Sequence, residues 1–346
     1  MATDREKNPT MTDVAKLAGV SQSTVSLVIN GKETSSIPQT TKDKVWEAIR
    51  SLDYRPNAIA RALQGSGSGV IGFITDELVT TNFAGNIYKG AQDTAWKKHK
   101  MLMLVNLDNH RGMLDEAIDM MLSYRVEGFV IATKYHHEFL LPDRSMEVPV
   151  VFANCFDPMG RYASFVPNEG KGAYDAVRYM IERGHTRIAF LSNDLKIPAT
   201  ASREQGYLQA LKDHGLSCPA DMLLPIRIRG LEVYRAATKL LQRKDRPTAI
   251  LCYNDRCAVG VYAAIADQGL KTGRDISVVG FDNQTVITEF VHPGLTTMQL
   301  PHYEMGKAAM QYLFDLKSGD KVEKKMLDLT LVERSSVADL RNTRDA

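Results

Sequence analysis

GVSQSTVSLVING, residues 19–31, decides how the amino-terminal part of the chain is read. Gly19 is suited to end a helix, because the left-handed backbone of a helix terminus costs glycine no side-chain clash. Ser21 is suited to cap the next helix, since its hydroxyl can accept from a backbone amide two or three residues on. Val25, Val28 and Ile29 repeat at i, i+3 and i+4 and make one apolar face. Asn30-Gly31 stops the helix. Gln22, Ser23, Ser26 and Leu27 point away from the apolar face, so they need a use other than core packing.

Upstream, Thr12 predicts the cap of an earlier helix with Val14, Leu17 and Ala18 on its inner face. Downstream, a third helix is expected from about Thr41, with Val45, Ala48, Ile49 and Leu52 in register and Tyr54-Arg55-Pro56 as its end. Two short helices joined by Gly19-Val20-Ser21 and braced by a third predict a helix-turn-helix head over residues 10–56. In such a unit the first residues of the second helix reach base edges in the major groove, and the positive end of its dipole favours a phosphate. Gln22 and Ser23 are therefore expected at bases, with Ser26 and Leu27 beside them. Thr24 and Asn30 are expected at phosphates, and Thr12 and Ser21 complete the DNA-binding set. The plainer alternative is a three-helix bundle with a solvated Ser/Gln face.

Composition narrows the remaining classes. The 346 residues favour at least two domains, and 44% hydrophobic residues are enough for ordinary cores. No apolar run approaches the ~20 residues that a membrane span needs. The opening MATDREKNPT has no apolar region of the secretory kind, which predicts a cytoplasmic protein. Cys155, Cys218, Cys252 and Cys257 form no C-x-x-C pair and read as reduced thiols, so no metal is expected. Net charge is +2, and residues 1–64 hold nine Lys/Arg against seven Asp/Glu. A head this weakly basic must take much of its grip on nucleic acid from local geometry.

Residues 57–63, NAIARAL, predict a short helix, and Gly65-Ser66-Gly67-Ser68-Gly69 reads as a flexible linker by composition, so 57–69 is expected to be a hinge. From Val70 the pattern changes to short β-rich runs separated by amphipathic helices. The runs are VIGFIT (70–75), MLMLVNL (101–107), GFVIAT (128–133), PVVFAN (149–154), RIAFLSN (187–193), AILCYN (249–254), ISVVGF (276–281) and LTTMQL (295–300). Near-continuous apolar strands spaced by helices imply parallel sheets covered on both faces. Residues 70–336 are too many for one sheet and predict two interleaved α/β lobes. The polar tail 337–346 is expected to fray.

The ordered motifs D-V-A-x-x-A-G-V-S-x-x-T-V-S, T-x-x-K-V and Y-x-P-N-x-x-A-R-x-L resemble the DNA-binding head of the lactose/galactose repressor (LacI/GalR) family. The resemblance continues through G-H-x-R-I-A-F-L, N-D-x-x-A-x-G and V-V-G-F-D-N and covers nearly the whole chain. It implies a sequence-specific transcriptional repressor that binds a pseudo-palindromic operator as a homodimer. It places Asn57 at the hinge cap, Arg61 near the DNA backbone, and Leu63 as a wedge in the minor groove. Leu27 departs from the polar residue often found at its position and can touch a thymine methyl instead. No leucine heptads follow Arg334, so a dimer is expected and no tetramer.

The same resemblance gives the body the fold of periplasmic sugar-binding proteins, with a ligand between the lobes. Ligands of parallel α/β sheets sit at the carboxyl ends of strands. Asp76, Asn82, Phe83, Asn154, Arg203, Asn254, Asp255 and Asp282 are placed there, and the effector implied is a sugar. A regulator sensing a purine or other metabolite as corepressor is the alternative, as is a transport-type sugar-binding protein. The second lobe offers Leu231 where the family often has an aromatic stacking residue. No G-x-S-x-G, HExxH or Walker A sequence occurs, so the chain is expected to be no enzyme and to need no cofactor. His136-His137, expected on a helix or loop, is a weak metal signal.

Overall fold

Three helices make the amino-terminal unit: α1 (Met11–Ala18), α2 (Gln22–Ile29) and α3 (Gln39–Ser51). The computed structural model describes residues 9–29, 37–55, 67–78, 84–108, 110–143, 146–317 and 322–341. The chain divides into two units, Met1–Gly69 and Val70–Ala346. The expected roles of Asn30, Asn57, Arg61, Leu63, Asn82 and Phe83, and the hinge helix, lie outside the described residues.

The cap of α1 is Thr10, not Thr12. The Thr10 hydroxyl accepts from the Asp13 amide, and the Asp13 carboxylate accepts from the Thr10 amide at 2.8 Å. This reciprocal box satisfies two orphan donors at once, which Thr12 cannot do. Gly19 ends α1 at φ 65°, its amide donating to the carbonyls of Ala15 and Lys16. The Ser21 hydroxyl accepts from the Thr24 amide at 3.2 Å, as its place before α2 requires. Val14, Val25 and Val45 are fully buried at the centre, with Ala15, Ala18, Val28 and Ala48 around them. Leu17 is 56% exposed, contrary to expectation. The inner face of α1 is turned towards Ala15 and Ala18, whose small side chains let the neighbouring helices approach.

The second unit runs β1 (Val70–Thr75), α4 (Gly85–Lys97), β2 (Met101–Asn106), α5 (Leu114–Ser123), β3 (Phe129–Glu138), β4 (Val150–Phe156), β5 (Ala163–Pro167) and α6 (Glu169–Ile181). It continues with β6 (Ile188–Asn193), α7 (Pro198–Asp213), β7 (Leu223–Ile226), α8 (Glu232–Leu241), β8 (Ala249–Cys252), α9 (Asp255–Asp267) and β9 (Ser277–Asp282). The last elements are α10 (Thr285–Thr288), β10 (Thr296–Gln299), α11 (His302–Asp315), β11 (Lys324–Leu327) and β12 (Thr330–Val332).

These strands form two six-stranded sheets, ordered β11-β5-β4-β3-β1-β2 and β12-β10-β9-β8-β6-β7. Every pairing is parallel except β10 with β12. All eight expected strands are present. Because β5 and β11 belong to the first sheet while β6, β10 and β12 belong to the second, the chain passes between lobes three times. Each lobe buries its sheet between apolar clusters, one centred on Phe73, Val130 and Met305 and another on Phe190, Tyr207 and Phe281.

Helix pairs in both lobes meet backbone to backbone. A Cβ on Gly306 of α11 would stand 1.9 Å from the Ile87 carbonyl oxygen of α4, and one on Gly206 of α7 would stand 2.1 Å from the Gly170 carbonyl oxygen of α6. The tail does not fray as far as Arg341. The Ser336 hydroxyl donates to the Val278 carbonyl at 2.6 Å, and the Leu340 amide donates to the Arg183 carbonyl at 2.8 Å. Polar side and main chain there complete hydrogen bonds that the body otherwise lacks.

Candidate functional site

The exposed face of α2 carries the first candidate surface. Gln22 and Ser23 are exposed, and Thr24, Ser26 and Leu27 are half-buried. Thr12 sits beside them, for the Gln22 side-chain amide donates to its hydroxyl. Ser21 lies within 2.7 Å of the Ser23 hydroxyl and 2.9 Å of the Thr24 hydroxyl. The structure thus gathers Thr12, Ser21, Gln22, Ser23 and Thr24 on one polar, hydroxyl-rich edge at a helix amino terminus. Such an edge offers exchangeable donors and acceptors, the chemistry of base and phosphate contact.

The second candidate is a cleft in the body. In each sheet one central strand is flanked by the two that follow it, β1 by β2 and β3, and β6 by β7 and β8. The chain reverses its winding there, and the crevice beyond the strand ends is open to a ligand. Asn154, Arg203, Asn254 and Asp282 meet in this cleft with Lys134, Tyr135, His136, Glu169 and Tyr253, around about 320 Å³ including its mouth. Four of the expected effector residues are therefore brought together.

Arg203 lies within α7, five residues after its start, and is buried. Its Nε donates to Glu169 Oε2 at 2.7 Å and its Nη2 to Glu169 Oε1 at 3.2 Å, while Nη1 donates to the Tyr253 carbonyl. The guanidinium carbon stands 3.8 Å from the Phe281 ring centre and 4.6 Å from that of Tyr253. Burial works against the Arg203 charge, but Glu169, Tyr253 and Asp282 together outweigh it and raise the pKa. Asp282 stands 3.8 Å from Arg203 and accepts from the Gln284 side-chain amide at 2.9 Å. Burial pushes the Asp282 carboxyl up to about 7, against the pull of Arg203. Near neutral pH it is both a carboxylate and a carboxylic acid.

Strain marks the same place. Asp282 has φ 99° and Asn154 has φ 60°, in the left-handed range that side chains rarely adopt. Asn154 is held there by donating to the Thr133 carbonyl at 2.9 Å and the Lys134 carbonyl at 3.1 Å. Asn254 caps α9, its Oδ1 accepting from the Cys257 amide at 2.9 Å.

Two expected effector residues do not line the cleft. Asp255 is wholly buried, and its two oxygens accept from the Thr297 hydroxyl and the Gln284 backbone N–H, each at 2.6 Å. Its carboxylate is engaged in holding the loop after β9, next to Asp282. Asp76 accepts from the Lys134 amide at 2.9 Å and pins the cleft-lining part of β3. Leu231 is 62% exposed and does not line the cleft. His136 and His137 lie on β3, not on a helix or loop, where the register with β4 shifts between Ala132 and His137. The bulge carries Lys134, Tyr135 and His136 off the ladder and into the cleft. Sequence reasoning missed these three, with Glu169 and Tyr253. Tyr253 was legible as the residue between the β8 end and Asn254, whereas Glu169 reads only as an ordinary acid in the first turn of a helix.

Comparison with known proteins matches both parts of the chain. A family described as bacterial regulatory proteins, lacI family, matches residues 10–57, and a periplasmic binding protein-like domain matches residues 177–337. The chain is 33% identical over 335 residues to the HTH-type transcriptional repressor PurR of Erwinia tasmaniensis, covering 95% of this chain and 97% of that protein. It is 31% identical to the PurR of Vibrio atlanticus, covering 96% and 99%. Among solved structures, the lac repressor dimer bound to operator and the anti-inducer ONPF superposes with TM-score 0.77 at 27% identity, covering 96% of this chain and 100% of that one. A regulator of the same family from Rhizobium etli superposes with TM-score 0.72 at 31% identity, covering 78% and 99%. Similarity at this level along the whole length shows that the chain belongs to the lacI family of bacterial regulatory proteins, as a DNA-binding transcriptional regulator and not an enzyme.

Proposed function

We propose that the chain binds a pseudo-palindromic operator as a homodimer, and that a purine bound in the body cleft sets its operator affinity. The heads read DNA through Gln22 and Ser23, with Leu27 against a thymine methyl and Leu63 as the minor-groove wedge. A second head is needed because one α2 offers few base contacts, and two-fold symmetry doubles them on a palindrome. Full-length similarity to proteins named PurR supports a purine over the sugar implied by the resemblance.

The observation that carries the choice is the closed fork of Arg203, with Asp282 3.8 Å from it. A sugar site wants an arginine fork free to bind hydroxyls, but this fork is closed on Glu169 and the Tyr253 carbonyl. Asp282, held near neutrality, can present an acid O–H and a carbonyl side by side. That pair matches the adjacent acceptor and donor on the edge of a nitrogen heterocycle. A ligand favouring one pose of the lobes shifts the population, and the Gly/Ser linker composition at 65–69 suits a hinge that responds.

A thermal-shift and gel-shift series with hypoxanthine, guanine, adenine, ribose and galactose tests the choice. A purine is expected to raise the melting temperature and change operator affinity at least fivefold, within the range of ~5–150-fold for allosteric coupling. A response to ribose or galactose alone contradicts it.

A further inference from the structure

We infer that His136 is a specificity-determining residue of the effector cleft, whose imidazole donates one hydrogen bond to the bound molecule and accepts another. The inference rests on reading the cleft as the effector site. It starts from a buried polar group with nothing to do. His136 is 8% exposed, and neither Nδ1 nor Nε2 has a hydrogen-bond partner among the described residues. Its ring packs edge-on against Phe156, with centroids 5.7 Å apart at 67°. Phenylalanine would serve such packing equally well. Buried polar atoms are nearly always paired, so an orphan in a cleft wall calls for a partner that arrives there.

Placement gives that partner a direction. His136 lines the inner cleft and also an outer groove of about 850 Å³, and Glu169 is the other residue shared by both. The β3 bulge, pinned by Asp76 through the Lys134 amide, puts the ring there. Burial, with the neighbouring Lys324 and Arg203 charges and the His137 ring, keeps the imidazole neutral down to about pH 4. A neutral imidazole has one donor nitrogen and one acceptor nitrogen. Positive surroundings strengthen the donor towards an electron-rich atom, so the molecule should bring an oxygen or ring nitrogen acceptor to that side, with its own N–H or O–H next to it. An effector lacking that pair leaves both nitrogens orphaned and is rejected, which is how a buried polar site discriminates.

The test uses full-length wild type, His136→Phe and His136→Gln, titrated by calorimetry with hypoxanthine and with ribose, and melted without ligand. We expect wild type to bind hypoxanthine and His136→Phe to bind it at least tenfold more weakly. The ligand-free His136→Phe should melt no lower than wild type, because an apolar ring has no orphaned nitrogen to bury. His136→Gln, which can still donate and accept, should bind within threefold of wild type. Equal binding by wild type and His136→Phe overturns the inference and leaves the cleft reading standing. If His136→Phe is poorly folded, His136→Gln decides, and a tenfold loss there overturns the inference. Binding of ribose but not hypoxanthine overturns the purine reading alone, and His136 is then judged on ribose by the same thresholds. Binding of neither overturns both.

Discussion

At the scale of single residues, the cleft is a set of charges held where water would not leave them. Glu169 and Arg203 are both nearly inaccessible, at 3% and 5% side-chain exposure. Removing one partner strands the other. Glu169→Ala should therefore lower stability by about 3–5 kcal/mol, read as a lower denaturant midpoint with an unchanged slope. Asp282 gives a pH signature. Its folded carboxyl is raised to about 7, against about 4 in the unfolded chain. Between those values the folded chain keeps a proton that the unfolded chain has released, so stability falls as pH rises from 4 to 7. Asp282→Asn stays neutral throughout. It should be more stable than wild type at pH 8, by as much as ~4 kcal/mol, and no different near pH 4. Asp255, raised to about 6 by burial, leaves a shallower slope below pH 6 in the variant. Thermal melts across pH 4–8 measure both. In the head, Gln22→Ala should cost about 1–3 kcal/mol of discrimination at one operator position and leave non-specific DNA affinity nearly unchanged.

At the scale of elements, backbone contacts between helices set the geometry. Gly306→Ala would force α4 and α11 apart, since the added Cβ would stand 1.9 Å from the Ile87 carbonyl oxygen. A loss of stability of more than 2 kcal/mol is expected, as for overpacked cores, with the melting temperature as the readout. The strands of the sheet centres were legible in the sequence because they are buried on both faces and read as apolar runs. Strands β7, β11 and β12 were not, being short and at sheet edges, and β5 was hidden by its closing Pro167. Thr12 misleads as a cap because the decisive partner, Asp13, works backwards onto Thr10. The four cleft residues legible at strand ends or by resemblance share a topological cause, the crevice where strand order reverses. His136 was hidden by a bulge that no periodicity signals, and the internal hydrogen bonds of Asp255 were hidden because strand-end placement does not say which groups a carboxylate meets.

At the scale of the whole molecule, three crossings join the lobes, and strand ends of both sheets line the cleft between them. A ligand can change operator affinity only by binding the two lobe poses unequally, and the coupling must be reciprocal. The direct test is to titrate the full-length chain with operator DNA, with and without saturating hypoxanthine, and then with hypoxanthine, with and without saturating operator. Both titrations should shift by the same factor, at least fivefold. Operator affinity that does not change when hypoxanthine saturates the chain would contradict the claim that a purine in the cleft governs the head.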